Sequence, residues 1–128
     1  MTEIQTIKFT DNPVILNNRD RYLDVDINVE KALKSWQISL YSFQWMHSDG
    51  RIKNRAELPE EEQALQDKIE DRLKNGGILE KPVLGIGLLE NVEIGSGRAT
   101  FLTLAAKGIK TIPVHIPKSH QKEFSLLL

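Results

Sequence analysis

The residues best equipped for chemistry lie close together. Gly95, Ser96, Gly97, Arg98, Ala99 and Thr100 form a glycine-flanked turn carrying one fixed cation. Glycine lets a backbone take positive φ and approach another group closely, and Ser96 stands where it could cap a helix that starts near Arg98. The first N–H groups of a helix have no partner within it and mark the positive end of its dipole, which favours an anion there. Arg98 adds a permanently charged fork matched to phosphate or carboxylate. The chemistry these residues offer is therefore anion binding, with Gly77, Ile78 and Lys81 expected as the opposite wall. A glycine turn before a helix is also an ordinary connection, and the sequence contains neither a P-loop nor a complete dinucleotide fingerprint.

Other reactive groups add little. There is no cysteine, which removes disulfides, thiolate metal sites and thiol chemistry together. The three histidines, His47, His115 and His120, are too dispersed for a metal pair on one helix or strand. They read as surface residues, His115 on the strand face opposite Ile112, Val114 and Ile116. No metal ligand set is expected. Glu90 and Glu93 are the carboxylates nearest the turn; alternation turns Glu93 away from Ile94, and each reads as a solvated acid. Glu60, Glu61 and Glu62 are adjacent and so point in different directions. Lys107, Lys110, Lys118 and Lys122 are expected to gather near the end of the helix that follows the turn, as a modest phosphate-contacting patch.

These residues need elements to position them. Residues 93–116 parse as a strand end, the glycine turn, a short helix stopped at Gly108, and a returning strand whose inward face is Ile112, Val114 and Ile116. Residues 82–87 and 92–95 read as a hairpin that delivers the chain into the turn. A helix opens after Pro59 with acidic residues in its first turn and closes on Arg72, Lys74 and Gly76, with Leu65, Ile69 and Leu73 as its apolar stripe. Strand alternation covers 4–9 and 22–27. The longest helical pattern is 28–46, where Val29, Ala32, Leu33, Trp36, Leu40 and Phe43 share a face. That places Trp36 and Phe43 in the core, with Tyr41 and Trp45 off the stripe and free to cover a groove or a partner. The apolar tail 124–128 is expected to dock on the core or on a second subunit.

With 128 residues, one domain is expected, long enough to bury a core without metal or disulfide. The formal charge of -1, from 17 basic and 18 acidic residues, gives no global attraction to nucleic acid or anionic membrane. No apolar run approaches the ~18 residues of a membrane span, and the first residues lack a signal-like pattern, so the chain reads as soluble and cytoplasmic.

The 93–116 segment resembles the central motif of the ParB/sulfiredoxin-like superfamily. There a strand leads into Gly-x-x-Arg, a short helix, a glycine and an Ile-Pro-Val strand, matched here by Gly95, Arg98, Gly108 and Ile112-Pro113-Val114. Residues 73–83 are similar to the helix, Gly, Ile/Leu and Pro-Val stretch upstream. The resemblance covers about half the chain and implies an α/β (α+β) fold, a small mixed sheet with packed helices, with 28–57 as a helical insertion. It also implies a nucleotide, with Mg2+, or a nucleic-acid backbone as ligand, and nuclease or nucleotide-hydrolase activity. Three departures bear on that. The cysteine of the sulfiredoxin-like loop is replaced by Ser96 and Gly97, the acid that often precedes the motif glycine is Ile94, and the helical DNA-binding region of the partition proteins is not present. A different class of reading stands beside it: a non-catalytic interaction or regulatory module of plasmid, phage or bacterial origin, meeting a protein partner through the 28–46 helix and the 124–128 tail. Oligomeric state is not legible.

Overall fold

A computed structural model describes residues 7–128. The architecture is α+β, with two sheets and helices packed on them. Seven residues of alternating pattern make β2 (Tyr22–Asn28), and they pair antiparallel along their whole length with β6 (Thr111–Pro117), from Tyr22 opposite Pro117 to Asn28 opposite Thr111. The hairpin expected at 82–95 is β4 (Val83–Ile86) with β5 (Val92–Ser96), and a bulge between Val83 and Leu84 shifts its register where it meets the glycine turn. β4 also lies parallel to β6 at Val83 and His115, which completes the order β2-β6-β4-β5. A separate parallel pair joins β1 (Lys8–Thr10) to β3 (Ile78–Glu80), with Phe9 opposite Leu79. Residues 4–6 of the first expected strand lie outside the described residues.

The central strand β6 is buried on both faces, with Ile112, Val114, His115 and Ile116 all inaccessible. The expectation of a solvated outer face failed because His115 is covered by distant residues, its ring bonded to Asn12 and Asp24; a stretch of 3-10 helix, Pro13–Arg21, follows Asn12 and fully buries Ile15. On the other face, α3 (Arg98–Ala106) packs Phe101, Leu102 and Leu104 into the core. α2 (Glu60–Lys74) runs as its acidic start and basic end demand, although Leu65 is largely exposed and Gln66 is buried instead. α4 (Gln121–Phe124) docks the tail through a fully buried Phe124, while Leu126 and Leu128 remain exposed.

The long helix expected over 28–46 ends early. α1 is Val29–Trp36, capped by the Asn28 carboxamide, which accepts from Lys31 N–H at 3.0 Å. Beyond it, Ser39 Oγ accepts from Tyr41 N–H, and Ser42 Oγ donates to the Gln37 and Ser39 carbonyls. Such side-chain bonds give the backbone an alternative to the helical ladder. The consequence inverts part of the aromatic assignment: Trp45 is fully buried and donates Nε1–H to Glu62 at 2.8 Å, whereas Phe43 and Leu40 face solvent.

No helix among the described residues is long and apolar enough to cross a membrane.

Candidate functional site

The turn between β5 and α3 is built around Gly97, not Gly95. Gly97 has φ +80°, and a Cβ there would meet Pro82 Cα at 3.0 Å, so both conformation and space call for glycine. Gly95 is an exposed strand residue with no positive φ. Ser96 does not cap the helix. Its Oγ accepts a hydrogen bond from Asn12 Nδ2 at 3.1 Å, and no side chain caps Gly97. The first helical bond runs from Phe101 N–H to Gly97 C=O, which leaves the preceding N–H groups at the mouth of a cleft of about 390 Å3.

The far wall of that cleft comes from α2. Gly97, Arg98, Ala99 and Thr100 face Glu62, Lys68 and Arg72, with Glu80 at the edge. The expected wall of Gly77, Ile78 and Lys81 is dispersed. Gly77 lines a groove with Leu73 and Lys107, Ile78 is half exposed, and Lys81 reaches the carboxylates of Asp11 and Asp24 at 3.7 and 3.4 Å. Nor is Lys107 free for the expected lysine patch, since it pairs with Glu70 at 2.7 Å.

Arg98 is held in an unusual way for a half-buried cation. Its guanidinium carbon sits 5.8 Å from the ring centre of Trp36 and 5.3 Å from that of Tyr41, and Nη1 donates to Gln44 Oε1 at 3.0 Å. Among the described residues no carboxylate lies within 4.0 Å of it, and its Nε–H is buried without an acceptor. Aromatic faces and a neutral amide orient the charge without cancelling it. These contacts come from the 28–57 segment, which the sequence had marked as an insertion but had not linked to the turn. Arg98 also lines a second, larger cleft of about 620 Å3, together with Leu40, Leu88, Leu89 and Glu93. Glu93 is not a free solvated acid: Ser39 Oγ donates to it at 2.6 Å and Asn91 Nδ2 at 3.0 Å.

Behind the turn lies a polar network that short-range spacing did not reveal. His115, fully buried, accepts from Asn12 N–H at Nε2 (3.1 Å), which leaves its proton on Nδ1, 2.6 Å from Asp24. The Asn12 carboxamide donates to Lys81 C=O at 3.0 Å as well as to Ser96, and accepts from Val14 N–H. One signal was present: β6 lacks any charged residue, the pattern of a strand covered on both sides. The other two histidines are also engaged, His47 with Glu57 at 2.9 Å and His120 as acceptor from Ile86 N–H at 3.4 Å.

Asp11, Asp24 and His115 each bring a ligand atom to within 4.8 Å of the others, a distance that could suit a cation. The charges around them are already balanced. Lys81 bridges both carboxylates, and Arg19 contacts Asp11 at 3.3 Å and Asp24 at 3.2 Å. Both ring nitrogens of His115 are also in use, so a metal would have to displace these partners; the cluster reads as a support for the turn. Burial alone would raise the Asp24 carboxyl, but hydrogen bonds from Arg19 and His115 and the charge of Lys81 outweigh it and hold the group at about 2, below its usual 3.8. A depressed carboxyl stabilises the fold above its unfolded value and loses that contribution as pH falls towards the folded one. The stability difference between the wild type and Asp24→Asn is therefore expected to be constant above about pH 4 and to shrink down to about pH 2, read from urea midpoints. Exposed acids lowered by their own partners, Asp49, Glu57 and Asp67, titrate alike in both proteins and cancel in that difference. A pH-independent difference would sink the assignment.

No protein-family model, curated protein or solved structure matches the chain.

Proposed function

We propose that this chain binds a phosphate-bearing ligand, a nucleotide or nucleic-acid backbone, at the turn that carries Gly97 and Arg98, as the ParB/sulfiredoxin-like resemblance implies. The observation that carries the reading is Arg98. A half-buried guanidinium with no carboxylate among the described residues and one unsatisfied N–H gains most from an incoming anion, because its desolvation is already incurred and its orientation already set. The uncapped first turn of α3 and the side chains of Lys68 and Arg72 on the facing wall add donors of the same sign. A Mg2+ ion accompanying a nucleotide would meet Glu62 and Glu80 on the same walls, a carboxylate count in keeping with that ion when phosphate supplies further ligands.

The interaction-module reading is favoured by a different observation. Leu40, Leu88 and Leu89 are strongly exposed around the larger cleft.

Thermal melting with inorganic phosphate, ATP, CTP, GTP and a short single-stranded DNA, with and without magnesium, separates the two. A ligand at a hundred times its dissociation constant stabilises by about 2.7 kcal/mol, a shift of several degrees. The phosphate reading expects such a shift in the wild type and, for Arg98→Ala, an affinity lower by about tenfold or more. Absence of any shift, or an equal shift in the variant, would leave the interaction module.

A further inference from the structure

The larger cleft holds two opposite charges that do not meet. Glu93 and Arg98 both line it, yet among the described residues they form no ion pair. Each is instead fixed by neutral groups: Glu93 by Ser39 and Asn91, Arg98 by Gln44 and the rings of Trp36 and Tyr41. The β4–β5 turn makes room for this arrangement. A Cβ on Gly87 would stand 2.9 Å from Glu93 Cγ and 3.1 Å from its Oε2, so the absent side chain is what lets the carboxylate lie there. The rest of the wall is mainly apolar, from Leu40, Leu88 and Leu89.

Opposite charges free to relax would approach one another and neutralise. Here each is held by its own neutral partners and the two form no ion pair within 4.0 Å, and the cleft is of a size usual for small ligands. An ionised carboxylate only accepts hydrogen bonds and repels anions, while the guanidinium only donates. The two charges lining the cleft therefore select different groups of one molecule.

We propose that this cleft binds a small dipolar molecule, with an amino group on Glu93, an anionic group on Arg98 and an apolar body against the leucines. The inference deepens the phosphate-site reading and rests on it for the role of Arg98. Two sources share this chemistry: a nucleoside monophosphate with an amino-substituted base, and an amino acid with a large apolar side chain.

Calorimetric titration of the intact chain distinguishes them with two matched pairs, each differing at the amino group. AMP is compared with purine-riboside 5′-monophosphate, and phenylalanine with N-acetylphenylalanine, alongside inorganic phosphate as the probe of Arg98 alone. In one pair the amino-bearing member is expected to bind about tenfold or more tightly, an advantage that Glu93→Gln abolishes while phosphate binding is unchanged. The pair that responds identifies the source. Unchanged thermal melting of Glu93→Gln confirms that the fold is intact, and Gly87→Ala, which displaces the carboxylate without removing it, is expected to reduce the same advantage. Equal binding within both pairs, or an advantage that survives Glu93→Gln, overturns the proposal. Phosphate binding through Arg98 without discrimination in either pair overturns the cleft and leaves the phosphate site standing. Discrimination without any phosphate response overturns the phosphate reading and, with it, the role given to Arg98 in the cleft.

Discussion

Replacing Trp36 with alanine is expected to destabilise the protein by about 3–5 kcal/mol, the cost of removing the largest class of side chain from a site that cannot collapse. Trp36 is fully inaccessible and sits at the end of α1, where its ring serves both the core and one face of Arg98. The loss should appear as a lower urea midpoint, and the phosphate response should weaken with it because Arg98 loses one of its two aromatic walls. Trp36→Phe separates these roles. It leaves a smaller cavity and removes an indole N–H that is buried without an acceptor, so a cost on the order of 1–2 kcal/mol is expected. Equal destabilisation by the two substitutions would show that the indole nitrogen has a partner after all. A stable Trp36→Ala protein would mean that α1 is not seated as described.

Asn12→Ala is expected to cost about 2–4 kcal/mol through loss of three side-chain hydrogen bonds worth about 1 kcal/mol each and the exposure of their partners. The side chain is buried and ties the Lys81 carbonyl, the Ser96 hydroxyl and the Val14 amide to one point. For a chain of this size that is roughly ten degrees in melting temperature. Asn12→Asp is the sharper test. It keeps the acceptor for Val14 but has no N–H for Lys81 or Ser96, and it places a third carboxylate beside Asp11 and Asp24. At neutral pH it should be worse than alanine, and acidification to about pH 4 should narrow the gap. Should Asn12→Asp equal the wild type at neutral pH, the carboxamide donors have no structural role.

What the sequence disclosed and what it concealed follow from range. α2 was legible because its signals are local: acidic residues at its start, basic ones at its end, glycines after it. The β4–β5 hairpin, the α3 helix and the Gly108 stop at φ +82° were legible for the same reason. The end of α1 was not, since Val29 to Phe43 keeps helical periodicity and only the serine bonds at 39 and 42 break it. Around the turn, Arg98 was identified as the cation, but its aromatic seat, Trp36 and Tyr41, lies still further back in the chain than Gln44, which is 54 residues earlier. Glu93 was read as a solvated acid, whereas it lines the larger cleft and is held there by Ser39, a residue distant in the chain. His115 was misjudged because alternation describes one face of a strand and says nothing of what covers the other.

The bonds of Asn12 also bear on the order in which the molecule can assemble. Its three distant partners, Lys81, Ser96 and His115, lie 69, 84 and 103 residues along the chain. Closing loops of that length costs entropy before any contact repays it, so bonds of this kind form after local helices and hairpins. The glycine turn can be written in a few residues, yet its final shape waits for Asn12 to meet Ser96 and His115. A nascent chain therefore cannot complete this network until residue 115 is available to fold.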